Sequence, residues 1–344
     1  MKPIIQQFPP IYFAFVMSTG IISLAAHAQQ LDWLANALFY VNLVAYPVLL
    51  ALLVLQLMLF PKNFWAALTS HKDGPTFLAL VPATALLGSQ FVQLADNQAM
   101  GKLLWLVALV GWLGIGYCFI LGVSLKKEKP PLEQGLSGGW LLLVVATESL
   151  AVLGALLLPT SALPPAVAVM GVLSLFLLGS LLYVLLITLI FYRLTFVHLG
   201  DEEVGAAYWI SVGASAIVVL AGTGVATAMQ HTQALAELLP FVKGYSVLFW
   251  AISTWWLPVV AVLRLWNHYT TRPAFAYSPA YWSMVFPLGM YTAATGKLVQ
   301  SLPVAALQVV PQYFIYLALT AWVLTLGAML YHLVAGSKAK LAAA

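Results

Sequence analysis

Long apolar stretches alternate with short polar breaks along the whole chain. A bilayer-spanning helix needs about 20 mainly apolar residues. Breaking the chain at its charged, Pro-rich or Gly-rich punctuation leaves ten such stretches, at approximately 8–27, 33–59, 75–95, 102–125, 138–158, 164–192, 205–230, 241–265, 279–299 and 308–335. The fifth and sixth are parted only by a turn around Pro159, Pro164 and Pro165. The pattern predicts an all-α integral membrane protein of ten transmembrane helices in a single polytopic domain over 1–344, with 336–344 as a short tail.

The stretches are of two kinds. The sixth is almost wholly aliphatic and aromatic, whereas odd-numbered stretches carry small, polar and helix-breaking residues. Examples are Ser18-Thr19-Gly20, Pro82-Ala83-Thr84, Thr147-Glu148-Ser149, Gly213-Ala214-Ser215 and Pro287-Leu288-Gly289. Odd stretches begin near 8, 75, 138, 205 and 279, at intervals of 67, 63, 67 and 74 residues. A period of this size predicts five repeated helical hairpins. Aliphatic helices suit lipid, and helices around a polar cavity tolerate hydroxyls and bent backbone. The expected architecture is a quasi-fivefold arrangement in which odd helices line a central pore and even helices form an outer ring. The competing explanation for any single Gly or Ser is close helix packing.

Composition narrows the class. Of 344 residues, 63% are hydrophobic and 7% charged, against roughly 25% charged in soluble domains. A soluble enzyme, a nucleic-acid binder and a disordered chain are excluded by that balance. The net charge of +4 comes from cations spread thinly between apolar runs. The lone Cys118 offers neither a disulfide framework nor a thiolate metal site.

The cations also orient the chain. Lys2, Lys62, Lys72, Lys126, Lys127, Lys129, Arg193, Arg264, Arg272, Lys338 and Lys340 fall on one side of the ten-span layout, and Lys102, Lys243 and Lys297 on the other. The richer side is expected to be cytoplasmic, with both termini there, in the cell membrane. Ala26-His27-Ala28 has the form of a signal-peptidase site. Pro9, Pro10 and Gly20 interrupt the apolar region before it, and the even span count requires this helix, so the segment is expected to be retained.

Pro9-Pro10-Ile11-Tyr12-Phe13-Ala14-Phe15-Val16-Met17-Ser18-Thr19-Gly20-Ile21 resembles the opening helix of the tellurite-resistance/dicarboxylate transporter family. Val285-Phe286-Pro287-Leu288 through Ala294-Thr295 resembles the ninth helix of that family. Its members include bacterial tellurite-resistance proteins, malate permeases, sulfite-efflux pumps and the plant slow anion channels. The resemblance implies five hairpins around a pore in each subunit, a homotrimer, and a ninth-helix phenylalanine that plugs the pore, which maps onto Phe286. It implies chloride or nitrate as the cargo of channels, and dicarboxylate, sulfite or tellurite-related anions for other members.

Several residues bear on transport. Taken alone, a Phe before a Pro in a membrane helix is a packing residue. Pro287 and Pro82 are candidate kinks, since proline removes a backbone donor. At 100° per residue, Phe286, Met290, Ala293 and Lys297 share one stripe. A bulky ring, a small residue and a cation in that order suit a hydrophobic constriction below an anion-attracting vestibule. His27 and His231 end the first and seventh helices on the side of Lys297, and the three together are candidates for a mildly basic outer mouth. Ser18, Gly20, Thr84, Ser215, Gly289, Thr292 and Ala293 are candidate pore-lining positions. Glu148, about 15 Å into its span at 1.5 Å per residue, is costly there. It is either a hydrogen-bonded helix link, an ionised barrier facing the pore, or a proton-coupling group of a carboxylate carrier.

Enzyme chemistry lacks its parts. No His lies mid-span to serve Ser215, no two mid-helix His residues pair for haem, and Asp32, Asp73, Asp96 and Asp201 do not cluster. Asp201-Glu202-Glu203 suits a solvated helix start, and Lys126-Lys127-Glu128-Lys129 an orienting loop in contact with lipid. No Gly-rich nucleotide motif occurs. No cofactor or metal is expected. The partners expected are small inorganic or organic anions and membrane lipid, with no nucleic acid.

Overall fold

The computed structural model describes residues 5–197, 205–271, 277–302 and 304–342, with side chains to 334. Lys2, the acids at 201–203 and Arg272 lie outside the described residues, as do the side chains of Lys338 and Lys340. The described residues form helices and no strand. Ten long helices carry the architecture: α1 Phe13–Ala28, α2 Asp32–Leu59, α3 Leu80–Leu94, α4 Gln98–Ser124, α5 Leu142–Leu157, α6 Pro165–Phe196, α7 Ile210–Thr232, α8 Leu239–Thr271, α9 Trp282–Ser301 and α10 Val309–Ala342. The backbone of the expected tail thus continues α10 as far as Ala342.

Nine regions among the described residues are long and apolar enough to cross a membrane. The exception is α9, a 20-residue helix diluted by Ser283, Pro287, Gly289, Thr292, Thr295 and Lys297. Burial separates the two kinds of helix. In the odd-numbered spans that qualify, 78–83% of the core window is buried, against 11–39% in the even-numbered ones. In α9, 13 of the 20 residues are buried. The aliphatic faces of the even helices are therefore outside, as their composition requires.

Contacts close a ring. α1 touches α3, α3 touches α5, α5 touches α7, α7 touches α9, and α9 returns to α1. Each even helix packs on the odd helix before it and also on the one after it, α10 reaching round to α1. The segment with a signal-peptidase-like end is thus one of five staves of the ring. Each inner helix is entered through a short helical turn: Pro10–Tyr12, Gly74–Phe77, Gly138–Leu141, Ala206–Trp209 and Pro279–Tyr281. These turns touch one another in the same cyclic order. The five inner helices therefore run parallel, with their N-termini gathered at one end.

The ring is pinned from outside by a repeated polar clasp. Tyr46 of α2 meets Thr84 of α3 at 2.7 Å. Trp112 of α4 donates to Thr147 of α5 at 2.9 Å, and Tyr183 of α6 to the Ser211 carbonyl of α7 at 3.2 Å. Trp250 of α8 donates to Thr295 of α9 at 3.1 Å, and Trp322 of α10 to Thr19 of α1 at 2.9 Å. Every outer helix thus reaches the next inner helix through at least one aromatic donor, and α4 adds a second, Trp105 to the Leu150 carbonyl at 3.0 Å. Thr84 and Thr147 also donate to the carbonyls of Leu80 and Leu143, so each hydroxyl is used twice. Apolar burial drives helix association weakly in lipid, and such bonds contribute about 0.6 kcal/mol each.

Candidate functional site

Phe286 lies one residue before Pro287, which sits inside α9 and removes the hydrogen bond due to the Ser283 carbonyl. The ring of Phe286 is 2% exposed. It rests on Gly213 of α7: a Cβ placed there would stand 2.9 and 3.0 Å from two ring carbons and 3.1 Å from Pro287 Cγ. Only glycine admits the aromatic ring at this distance. Counting four residues on from the aromatic at each helix entry (Phe13, Phe77, Trp140, Trp209 and Trp282) gives Met17, Val81, Val144, Gly213 and Phe286. All five are buried. The largest and the smallest side chains of this level are neighbours.

Exposure grades upward from there. On α9, Phe286 and Met290 are buried, Ala293 is half-buried and Lys297 is exposed. On α7, seven residues beyond Gly213, Leu220 and Gly224 are half-buried and Thr227 and His231 exposed. Both stripes open toward the C-terminal end of the inner ring and seal toward its N-terminal end. Lys297 stands at the open end, 3.4 Å from the Gln300 side-chain oxygen. His27 does not add a free cation there, because its ring faces Asp32 at 2.7 Å.

Most of the expected pore-lining hydroxyls face neighbouring helices instead. Ser18 donates to the Trp282 carbonyl of α9 at 2.9 Å. Thr84 belongs to the clasp with Tyr46, and Ser215 accepts from Ser253 of α8 at 2.8 Å. Thr292 donates to its own helix at the Leu288 carbonyl. Gly20 and Gly289 serve close packing, Gly20 against Asn42 and Leu86, Gly289 against Ile21 and Ile22. The physical reason for Ser18, Thr84 and Ser215 is that a hydroxyl away from water needs a partner, which the adjoining helix supplies; Thr292 finds its partner one turn back on its own helix. Pro82 occupies the first turn of α3, where its missing donor breaks no helical bond. It marks the helix entry.

Glu148 departs furthest from expectation. It is fully buried, and its carboxyl group lies against Gly179 of the outer helix α6, where any Cβ would collide with it. Neither carboxyl oxygen has a hydrogen-bond partner among the described residues. Among the described residues it makes no hydrogen-bonded link, and its carboxyl group is turned toward the outer helix α6.

The sequence pattern left two features unseen. One is the aromatic donor on each even helix, legible only as a Trp or Tyr within an otherwise aliphatic span. The other is Asn42, fully buried on α2, which donates to the Val16 carbonyl at 3.0 Å and to Gln90 at 2.9 Å, joining α1, α2 and α3. An amide in a membrane span was its available signal.

A closed ring of parallel helices, apolar at one level and opening to a charged rim, defines an all-α membrane protein of the transporter and channel class. The family model for SLAC1, described as voltage-dependent anion channel, matches residues 7–330, and the chain belongs to this family. It is similar to two uncharacterized transporters of Methanocaldococcus jannaschii. One is 26% identical over 306 residues, covering 86% of each chain. The other is 24% identical over 302 residues, covering 85% of this chain and 84% of that one. An uncharacterized membrane protein of Mycobacterium tuberculosis is 33% identical over 154 residues, or 45% of this chain and 78% of that protein.

Proposed function

We propose that the protein conducts small anions across the cell membrane along the axis of the inner ring, and that the conformation described here is closed by Phe286. The observation that carries this reading is the seat of Phe286 on Gly213, at the level where both graded stripes become sealed. An apolar constriction of this kind stops ions by excluding water. The N-termini of five inner helices gather at one end and Lys297 stands at the other, so each mouth offers positive potential to an anion. With few side-chain charges between the mouths, selection falls to size and neutral dipoles. Modest discrimination among chloride, nitrate and small carboxylates follows. The protein assembles as a homotrimer with both termini in the cytoplasm, as the family resemblance implies.

The test is flux of chloride, nitrate and malate into proteoliposomes, with and without an imposed pH gradient. Flux that follows each anion's own gradient is expected. Malate uptake that requires the pH gradient, with no chloride or nitrate flux, would replace this reading with a proton-coupled dicarboxylate, sulfite or tellurite-related carrier using Glu148.

A further inference from the structure

Between α8, α9 and α10, at the end of the bundle where the inner helices begin, the outer layer leaves a crevice of about 250 Å³. Higher up, α8 is fastened to α9 by Trp250 to Thr295 and by Thr254 to Tyr291. Below Thr254, α8 contains Pro258, which removes a helical hydrogen bond between the fastened part and the crevice. The crevice walls are Val285 and Leu288 of α9 and Leu324 of α10, with Trp209 at the entry to α7. Arg264 and His268 of α8 supply its basic edge.

The chemistry is divided by height. The walls are apolar, with Val285 and Leu288 at the buried floor and Leu324 exposed at the rim. The edge is cationic, at the end of the bundle expected to be cytoplasmic. Arg264 is half-buried, with its guanidinium 5.7 Å from the centroid of the Tyr281 ring. It has no acidic partner among the described residues. Among the described residues the buried indole N–H of Trp209 also has no acceptor. A ring face beneath a guanidinium orients it without neutralising it. Such an arrangement complements a molecule with a phosphate at one end and an acyl chain at the other.

We infer that this crevice is a binding site for an anionic glycerophospholipid, with its phosphate on Arg264 and an acyl chain along Val285, Leu288 and Leu324. The occupant braces the outer face of α9 on both sides of Phe286, so the helix that carries the constriction is held from the lipid side.

The test is native mass spectrometry of the full-length protein released from detergent with phosphatidylglycerol or phosphatidylcholine. The wild type is expected to retain phosphatidylglycerol in preference to phosphatidylcholine. Arg264→Gln is expected to lose that preference by about fivefold, the worth of one basic side chain at an anionic surface, and Arg264→Lys to keep most of it. Ala321→Trp, which fills the crevice from α10, should release both lipids while the protein elutes and melts as the wild type does. Equal retention of the two lipids by the wild type, or unchanged preference in Arg264→Gln, overturns the site. So does a disulfide between protomers formed by cysteine introduced at position 321, which would make a second copy of the chain the occupant. None of these readouts depends on which anion is transported.

Discussion

Replacing Phe286 with alanine removes the ring from its seat on Gly213 and leaves the backbone and Pro287 in place. Transferring a phenylalanine ring from exposed to buried is worth about 1.5–3 kcal/mol, and the Phe286 ring is 2% exposed. A closed state resting on that seat is favoured over one with the ring withdrawn by a factor of about 10–150, at 1.4 kcal/mol per tenfold. Anion flux through Phe286→Ala in proteoliposomes should rise by that order, measured as chloride efflux at fixed protein density. Gly213→Ala supplies an independent perturbation. Its new methyl would stand 2.9–3.0 Å from ring carbons, so the ring must shift, and flux should rise without any change at position 286. In the double variant the glycine change should add nothing, because the group that it displaces is gone. Unchanged flux in a Phe286→Ala protein that folds and elutes normally would refute the seat as the closing element. Additive effects of the two changes would refute the coupling between them.

Glu148→Leu should raise the melting temperature in detergent by removing a buried carboxyl without partners, worth about 1–3 kcal/mol, and should leave chloride flux intact; a drop in flux would restore a transport role. Gly179→Ala should lower stability by about 1–3 kcal/mol through overpacking, and Glu148→Ala in the same chain should recover most of it, as thermal melts would record. Trp112→Phe deletes one clasp and should reduce stability by about 0.6 kcal/mol, with an equal effect in a Thr147→Val background ruling out the hydrogen bond as its cause. His71, in the loop before α3, is held below the usual histidine range first by burial and then by Lys126 and Lys129. Its neutral form is favoured in the fold, so acid works against the local structure as pH falls. Gln at 126 and 129 should move its NMR titration upward, and an unmoved midpoint would discount the lysines.

Much of the helix layout was readable beforehand. The repeat starts predicted near 8, 75, 138, 205 and 279 fall within two residues of the entry turns at Pro10, Gly74, Gly138, Ala206 and Pro279. That agreement arises because the boundary of an apolar run is a local property, set by which residues lipid accepts. Side-chain direction was less legible. Ser18, Thr84 and Ser215 have the chemistry of a pore lining, yet each bonds a neighbouring helix. A hydroxyl in a span reports that a partner exists and carries no information on which side the partner lies. Glu148 shows the same limit, since depth was readable from its position and its contact with Gly179 was not.

The sequence by itself determined the solvent of this protein, the number and period of its apolar runs, and the division into aliphatic and small-residue helices, because transfer free energy into lipid sums over nearby residues. Tertiary structure alone decided the pairing of Phe286 with Gly213, the five aromatic clasps and the crevice beside Arg264. Each joins residues from different helices, and the angle at which a helix faces its neighbours is fixed only when the ring closes.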